Sequence, residues 1–311
     1  MQDADFEKMA DTVRNWNRWG PEDGRGTLNH VSAETLMRAA GTITQGKMFN
    51  LGLRFDRNGP QHGDFRFNPK LYVTALNGMT NPERPRSRYN DDVIHMPLQC
   101  ATQWDALSHA HYDGILYNNC AACDTVSSAG ASRNGVENLA EPGIMSRGVL
   151  LDIARLKGVD ILPVDYAITA ADLDEAAERE GVSIETGDIV LVRTGWMRHF
   201  SVDNDRAKYE GFQPGLDPEC ALWLYDKSAA AVASDNSAVE VMNMETITGP
   251  MPIPFHMLTL RDMGMPLGEL WQLEGLAADC AADGRYSFML SAPPLGVTGA
   301  FGSPVNPMAL K

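Results

Sequence analysis

The chain has 311 residues, 44% of them hydrophobic and 22% charged, with a formal net charge of −15. That is the profile of a folded globular protein with a substantial core, and an acidic surface argues against nucleic acid or an anionic membrane as a partner. No apolar run approaches the ~20 residues needed to cross a bilayer, and the start, Met1-Gln2-Asp3-Ala4-Asp5-Phe6-Glu7, lacks the basic and apolar regions of a secretion signal.

Five scattered cysteines make no disulfide framework. The expectation is a cytoplasmic protein with reduced thiols. Along the first 20 or so residues Phe6, Met9, Val13, Trp16 and Trp19 recur near helical spacing, which predicts an amphipathic helix ended by Gly20–Gly26. Ser32 caps a short helix that stops at Gly41. From Lys47 to Arg57 the alternation of Phe49, Leu51, Leu53 and Phe55 predicts a strand. Residues 58–90 are rich in Gly, Asn, Pro and Arg and read as a long loop, with Arg84, Arg86 and Arg88 as a solvated basic edge. Cys120-Ala121-Ala122-Cys123 has the spacing of a redox or zinc half-site, but a single pair without a thioredoxin-like context reads as chance.

The second half alternates strands and helices. Gly148–Ile153, Gly187–Arg193 and Ala229–Ser234 are short apolar runs of the buried-strand kind, the last delivering Asp235 at its end. Thr169 caps a helix with a carboxylate, Asp172, at its third position, running to Glu180 and stopping at Gly181. Asp217-Pro218 opens a helix through Tyr225, His256 opens another ending near Gly264, and residues 269–282 read as a last helix before a strand over Tyr286–Leu290. This alternation predicts an α/β fold.

The densest chemistry lies in Gln99–Asp113, which gathers Gln99, Gln103, Trp104, Asp105, His109, His111 and Asp113 in a chain with seven histidines. If extended, Gln103 and Asp105 would sit ~7 Å apart on one face, with His109 ~20 Å from Gln103. If helical, Gln99/Gln103 and Asp105/His109 become i,i+4 pairs. A bent segment would bring Gln103, Asp105 and His109 together, and the residues alone do not choose. Plainer uses exist for each: a structural carboxylate–imidazole pair, hydrogen-bonding amides and a core tryptophan.

The run Gln99-Cys100-Ala101-Thr102-Gln103-Trp104-Asp105-Ala106-Leu107-Ser108-His109 also resembles a known motif, H-x-G-T-H-x-D-x-P-x-H. Asn17-Arg18-Trp19-Gly20, Arg147–Asp152, Gly187–Trp196, Ser234-Asp235 with Val239-Glu240, and Gly302–Val305 match further stretches. Together they resemble the cyclase family of metal-dependent hydrolases, which includes bacterial kynurenine formamidases and isatin hydrolases. The resemblance implies a swivelling β/β/α fold with a mixed-sheet core. It implies one domain over 1–311 with a helical arm over about 1–45, built into a homodimer or homotetramer. It also implies a divalent metal, with Asp105 kept as ligand, His109 matching a general acid/base, and His256 and Glu269 as the C-terminal ligand pair. Both metal-binding motif histidines are glutamines here, Gln99 and Gln103, the motif glycine is Ala101 and the motif proline is Leu107. Amide oxygens are hard, neutral and weak ligands, so preference shifts from Zn²⁺ toward Mn²⁺, Mg²⁺ or Ca²⁺; Mn²⁺ or Zn²⁺ is the expected metal, with Mg²⁺, Ca²⁺ or loss of the metal as the other outcomes. The Gln-x-Asp variant resembles a distinct branch of the family.

The expected function is hydrolysis of an amide, lactam or ester bond in a small aromatic molecule. Asp105 and His109 would be catalytic, Gln99, Gln103, Asp105, His256 and Glu269 would hold the metal, and Trp104, His111, Trp196 and Phe67 would contact substrate. A metal-independent cyclase, dehydratase or lyase on the same fold is the runner-up, and a catalytically silent small-molecule binder the third expectation.

Overall fold

In a computed structural model, which describes residues 3–63 and 65–311, nine strands form one mixed sheet. In chain order they are Met48–Asn50 (β1), Gln103–Asp105 (β2), Met145–Asp152 (β3), Ile189–Arg193 (β4), Ala231–Ser234 (β5), Leu267–Glu269 (β6), Ser287–Ser291 (β7), Gly302–Pro304 (β8) and Met308–Leu310 (β9). Across the sheet the order is β1-β9-β7-β3-β4-β5-β6-β2-β8. The central run β3-β4-β5-β6 is parallel, and the flanking strands pair antiparallel. Pro304, which has no N–H to offer a ladder, is placed in the edge strand β8.

The parallel strands are buried on both faces, which explains their near-continuous apolar runs. Val149, Leu151, Val190, Val192 and Val232 point into one core with Phe6, Met9 and Val13 of Asp3–Val13 (α1), Leu173 of Ala170–Glu180 and Leu224 of Cys220–Asp226. Leu150, Ile189, Leu191, Ala231 and Ala233 point into the other with Leu276 and Cys280 of Glu274–Asp283. The α/β class and the mixed-sheet core agree with the sequence reading. No helix of the described residues is long and apolar enough to cross a membrane.

Thr169 and Asp172 exchange the expected capping-box hydrogen bonds, and Gly181 ends that helix in the left-handed conformation at φ 65°. Four expectations are corrected. The first helix stops at Val13, because Asn17 turns the chain at φ 61° and Trp16 Nε1 donates to Arg261 O instead. The strand expected over 47–57 is only β1, since Leu53 N donates to the Thr102 hydroxyl and leaves the sheet. The long loop contains an antiparallel hairpin, Lys70–Met79 with Arg88–His95, exposed along nearly its whole length. Glu269 ends a strand rather than opening a helix: Leu270 N and Trp271 N donate to Asn236 O and Ser234 O, which delays the helix to Glu274.

Candidate active site

The antiparallel register of β2 and β6 sets Gln103 opposite Glu269 and Asp105 opposite Leu267. Alternate residues of a strand share a face, so Gln103 and Asp105 point together toward the side where Glu269 lies. Gln103 Nε2 donates to Asp105 Oδ1 at 3.1 Å and to Glu269 Oε2 at 2.7 Å. Beyond Asp105 the chain bends, with His109 N donating to Ala106 O, and this returns His109 Nε2 to 3.8 Å from Asp105 Oδ1. The bent geometry is the one that occurs.

His256 closes the helical turn Pro254–His256, with a wider π-helical turn over Met257–Met263 after it. Glu240 organises this turn. Its carboxylate accepts from Phe255 N at 3.2 Å and His256 N at 3.0 Å, and Oε1 takes the His256 Nδ1 hydrogen bond at 2.5 Å. His256 Nε2 is thereby turned toward Glu269 Oε1 at 3.3 Å and Asp105 Oδ2 at 3.8 Å.

Three buried carboxylates, Asp105, Glu240 and Glu269, thus surround one imidazole. Burial and the nearby Glu269 charge push the Asp105 carboxyl well above its usual range. Burial opposes charge on His256, but its hydrogen bonds to Glu240 and Glu269 outweigh it and raise the imidazole to about 10. For His109 burial prevails, and its pKa falls to about 4, so that imidazole is neutral near pH 7.

Donor atoms of Asp105, His256 and Glu269 all lie within 4.8 Å of one another. Asp105 Oδ2 and Gln103 Oε1 are buried and, among the described residues, lack a hydrogen-bond partner. An imidazole anchored on a carboxylate through Nδ1, presenting Nε2 beside two carboxylates, is the usual setting of a metal-binding histidine. These residues fit a divalent cation. Rotating the Gln103 amide would turn it from a donor between carboxylates into a further oxygen ligand. Gln99 reaches the rim: a Cβ added at Gly302 would fall 2.9 Å from Gln99 Nε2 and 3.6 Å from Asp105 Oδ1.

The expected aromatic contacts are not all there. Trp104 is wholly buried on the opposite face of β2, edge-on to Trp271 at 5.0 Å, with Nε1 donating to Ala292 O. Trp196 is likewise buried, its Nε1 bound to Tyr209 O. Trp104 has no face to offer a substrate, and the sequence expectation for it is corrected to packing, whereas Trp196 borders a surface cavity with Pro163 and Phe212. His111 is exposed and makes no hydrogen bond or ion pair with the cluster. Phe67 packs on His95 at 5.1 Å, next to Arg66 in sequence. Arg66 itself was not singled out from sequence. Its Nη1 donates to Gln99 O at 3.2 Å and lies 3.9 Å from Glu269 Oε2. Nothing in an irregular loop marks such a residue. Glu240 lies in one of the stretches that resemble the family, where nothing in the sequence marks its hold on His256, while Asp235, five positions earlier, clamps a turn, accepting from Thr194 N, Thr194 Oγ1 and Gly195 N.

A sequence model of the Cyclase family matches residues 28–241. Among solved structures, one described as a novel cyclase is 38% identical, with a TM-score of 0.87 over 96% of this chain and 100% of that one. Isatin hydrolase A from Ralstonia solanacearum is 18% identical, with a TM-score of 0.62 over 88% and 93% of the two chains. A predicted metal-dependent hydrolase from Bacillus stearothermophilus is 16% identical, with a TM-score of 0.52 over 86% and 98%. The last two share the fold, which bears out the expected cyclase-like architecture. No curated protein matches the chain by sequence. From the family match, which spans most of the chain, and the close structural relative, the chain belongs to the Cyclase family.

Proposed function

We propose that the chain hydrolyses an amide, lactam or ester bond of a small aromatic molecule. The observation that carries this reading is the meeting of Asp105, His256 and Glu269 donor atoms within 4.8 Å, beside an imidazole that is not among them, His109. A divalent cation held by Asp105, His256 and Glu269, with Gln103 and Gln99 at its margin, would supply Lewis acidity toward a carbonyl oxygen and acidify water. The oxygen-rich donor set favours Mn²⁺ over Zn²⁺.

Glu240 fixes the ring of His256 by holding Nδ1, so that Nε2 alone faces the site. His109, partly exposed and beside Asp105, takes a proton from the attacking water and returns it to the leaving nitrogen or oxygen. Arg66, at the rim beside Glu269, is placed to hold the carboxylate that such a hydrolysis releases.

One observation favours a second reading. Gln103 Nε2 bridges Asp105 and Glu269, and His256 is held as a cation between carboxylates, so the chain's own groups offset the buried charge. In that case Asp105 and His109 carry out the acid–base steps of a metal-independent cyclase, dehydratase or lyase. Elemental analysis of protein purified without added metal, followed by assay of aryl formamides, lactams and lactones with and without chelator, separates the two. Bound metal together with chelator-sensitive hydrolysis is the expected result. Full activity in metal-free, chelated protein would establish the second reading.

A further inference from the structure

Away from the Asp105–His256–Glu269 cluster, the loops that follow β3 and β4 enclose a surface cavity of about 740 Å³. Its walls are fixed by two hydrogen bonds, from Leu162 N to Thr194 O at 3.0 Å and from Trp196 Nε1 to Tyr209 O at 2.9 Å. Gly195 is required where the two loops meet, because its φ is +78° and a Cβ there would fall 2.1 Å from Asp160 O. The lining is mostly apolar, with Pro163, Val164 (45% exposed) and Phe212 (42%) open to the space. Concave apolar walls interrupted by a few placed polar groups are the form of small-molecule sites.

Two polar side chains interrupt these walls. His199 is only 5% exposed and stands edge-on to Trp196, 4.6 Å between ring centroids. Its Nδ1 lies 2.9 Å from Asp203 Oδ2. A carboxylate only accepts, so Nδ1 carries a proton, and Nε2, which has no partner among the described residues, is left as an acceptor. Lys208 brings an exposed ammonium to the mouth, without an ion pair among the described residues, in a chain of net charge −15. None of Asp105, His109, His256 or Glu269 lines the cavity.

We propose that this cavity is a second binding site, distinct from the candidate metal site, for a small aromatic carboxylic acid that also carries an O–H donor. The ring packs on Pro163 and Phe212, the hydroxyl donates to His199 Nε2, and the carboxylate meets Lys208. The two polar groups select this class. A purely apolar ligand leaves the imidazole nitrogen unpaired, and an amine meets the ammonium as a like charge.

The test is isothermal titration calorimetry of the full chain with 3- and 4-hydroxyphenylacetate. At least one isomer is expected to bind saturably, one per chain, and phenylacetate and the matching hydroxyphenylethanol about tenfold more weakly. Lys208→Gln is expected to weaken binding of the hydroxy acid about tenfold, and Phe212→Asp to weaken it further. Arg66→Gln, at the rim of the metal site, is expected to leave it unchanged. Should Phe212→Asp fold poorly, Lys208→Gln, at an exposed position, decides alone. No saturable binding of either isomer, or wild-type affinity in Lys208→Gln, overturns the proposal. So does loss of binding in Arg66→Gln, which would put the acid at the metal site instead.

Discussion

Glu240 fixes the position of His256 more than any other side chain does. It accepts the two backbone N–H groups at the start of the His256 turn and the ring Nδ1, all within a buried pocket. Glu240→Gln keeps the shape and removes the charge. It is expected to weaken Mn²⁺ binding roughly 10- to 100-fold, read by equilibrium dialysis, with little change in the circular dichroism spectrum. Asp105→Asn and His109→Ala act closer to the reaction and are each expected to lower turnover by about 100-fold or more. Wild-type turnover in both would sink the hydrolytic mechanism. At this scale the local density of polar groups marked Asp105 and His109, whereas His256 and Glu269 entered only through resemblance to a motif, because they lie about 150 positions further along the chain. Arg66 left no trace, since a lone arginine in an irregular loop has neither period nor spacing. Trp104 misled for a simple reason: it adjoins Asp105 in sequence, and on a strand adjacent residues face opposite sides.

Among the elements, the helix Ala170–Glu180 was readable to the residue, because its stop and start signals are local: the Thr169–Asp172 box and the left-handed Gly181. Its last residue, Glu180, is a titration test of the fold. One carboxylate oxygen accepts from Asp152 N at 2.9 Å while the other has no partner among the described residues, and burial raises its pKa from 4.5 to about 8. The folded chain therefore holds this proton more tightly than the unfolded one. The resulting stability is fully present below about pH 4.5 and is lost as pH rises through about 8. Glu180→Gln is expected to remove that decline, so its urea midpoint should exceed that of wild type on the alkaline side and approach it in acid. A wild-type midpoint that stays flat across this range would contradict the assignment. The exposed hairpin was invisible for the opposite reason. Strand prediction relies on one buried face and one solvated face, and the hairpin has no buried face. The helix expected over 269–282 forms over Glu274–Asp283, its start delayed because tertiary hydrogen bonds from Leu270 and Trp271 overrode local preference.

For the molecule as a whole, the alternation of elements gave the α/β class, but strand order could not be read, because neighbours in the sheet are far apart in the chain. The pairing of β2 with β6 has a consequence in time as well as space. Gln103 and Glu269 touch across 166 positions of chain, and the loop that joins them includes three of the four parallel strands. Closing so long a loop is costly before the central sheet exists to bring its ends together. Catalytic competence should therefore be among the last properties to return when the denatured chain is diluted into buffer. Helical circular dichroism is expected to recover first and activity to lag behind it. Simultaneous recovery of the two signals would show instead that the 103–269 contact forms with the sheet in a single step.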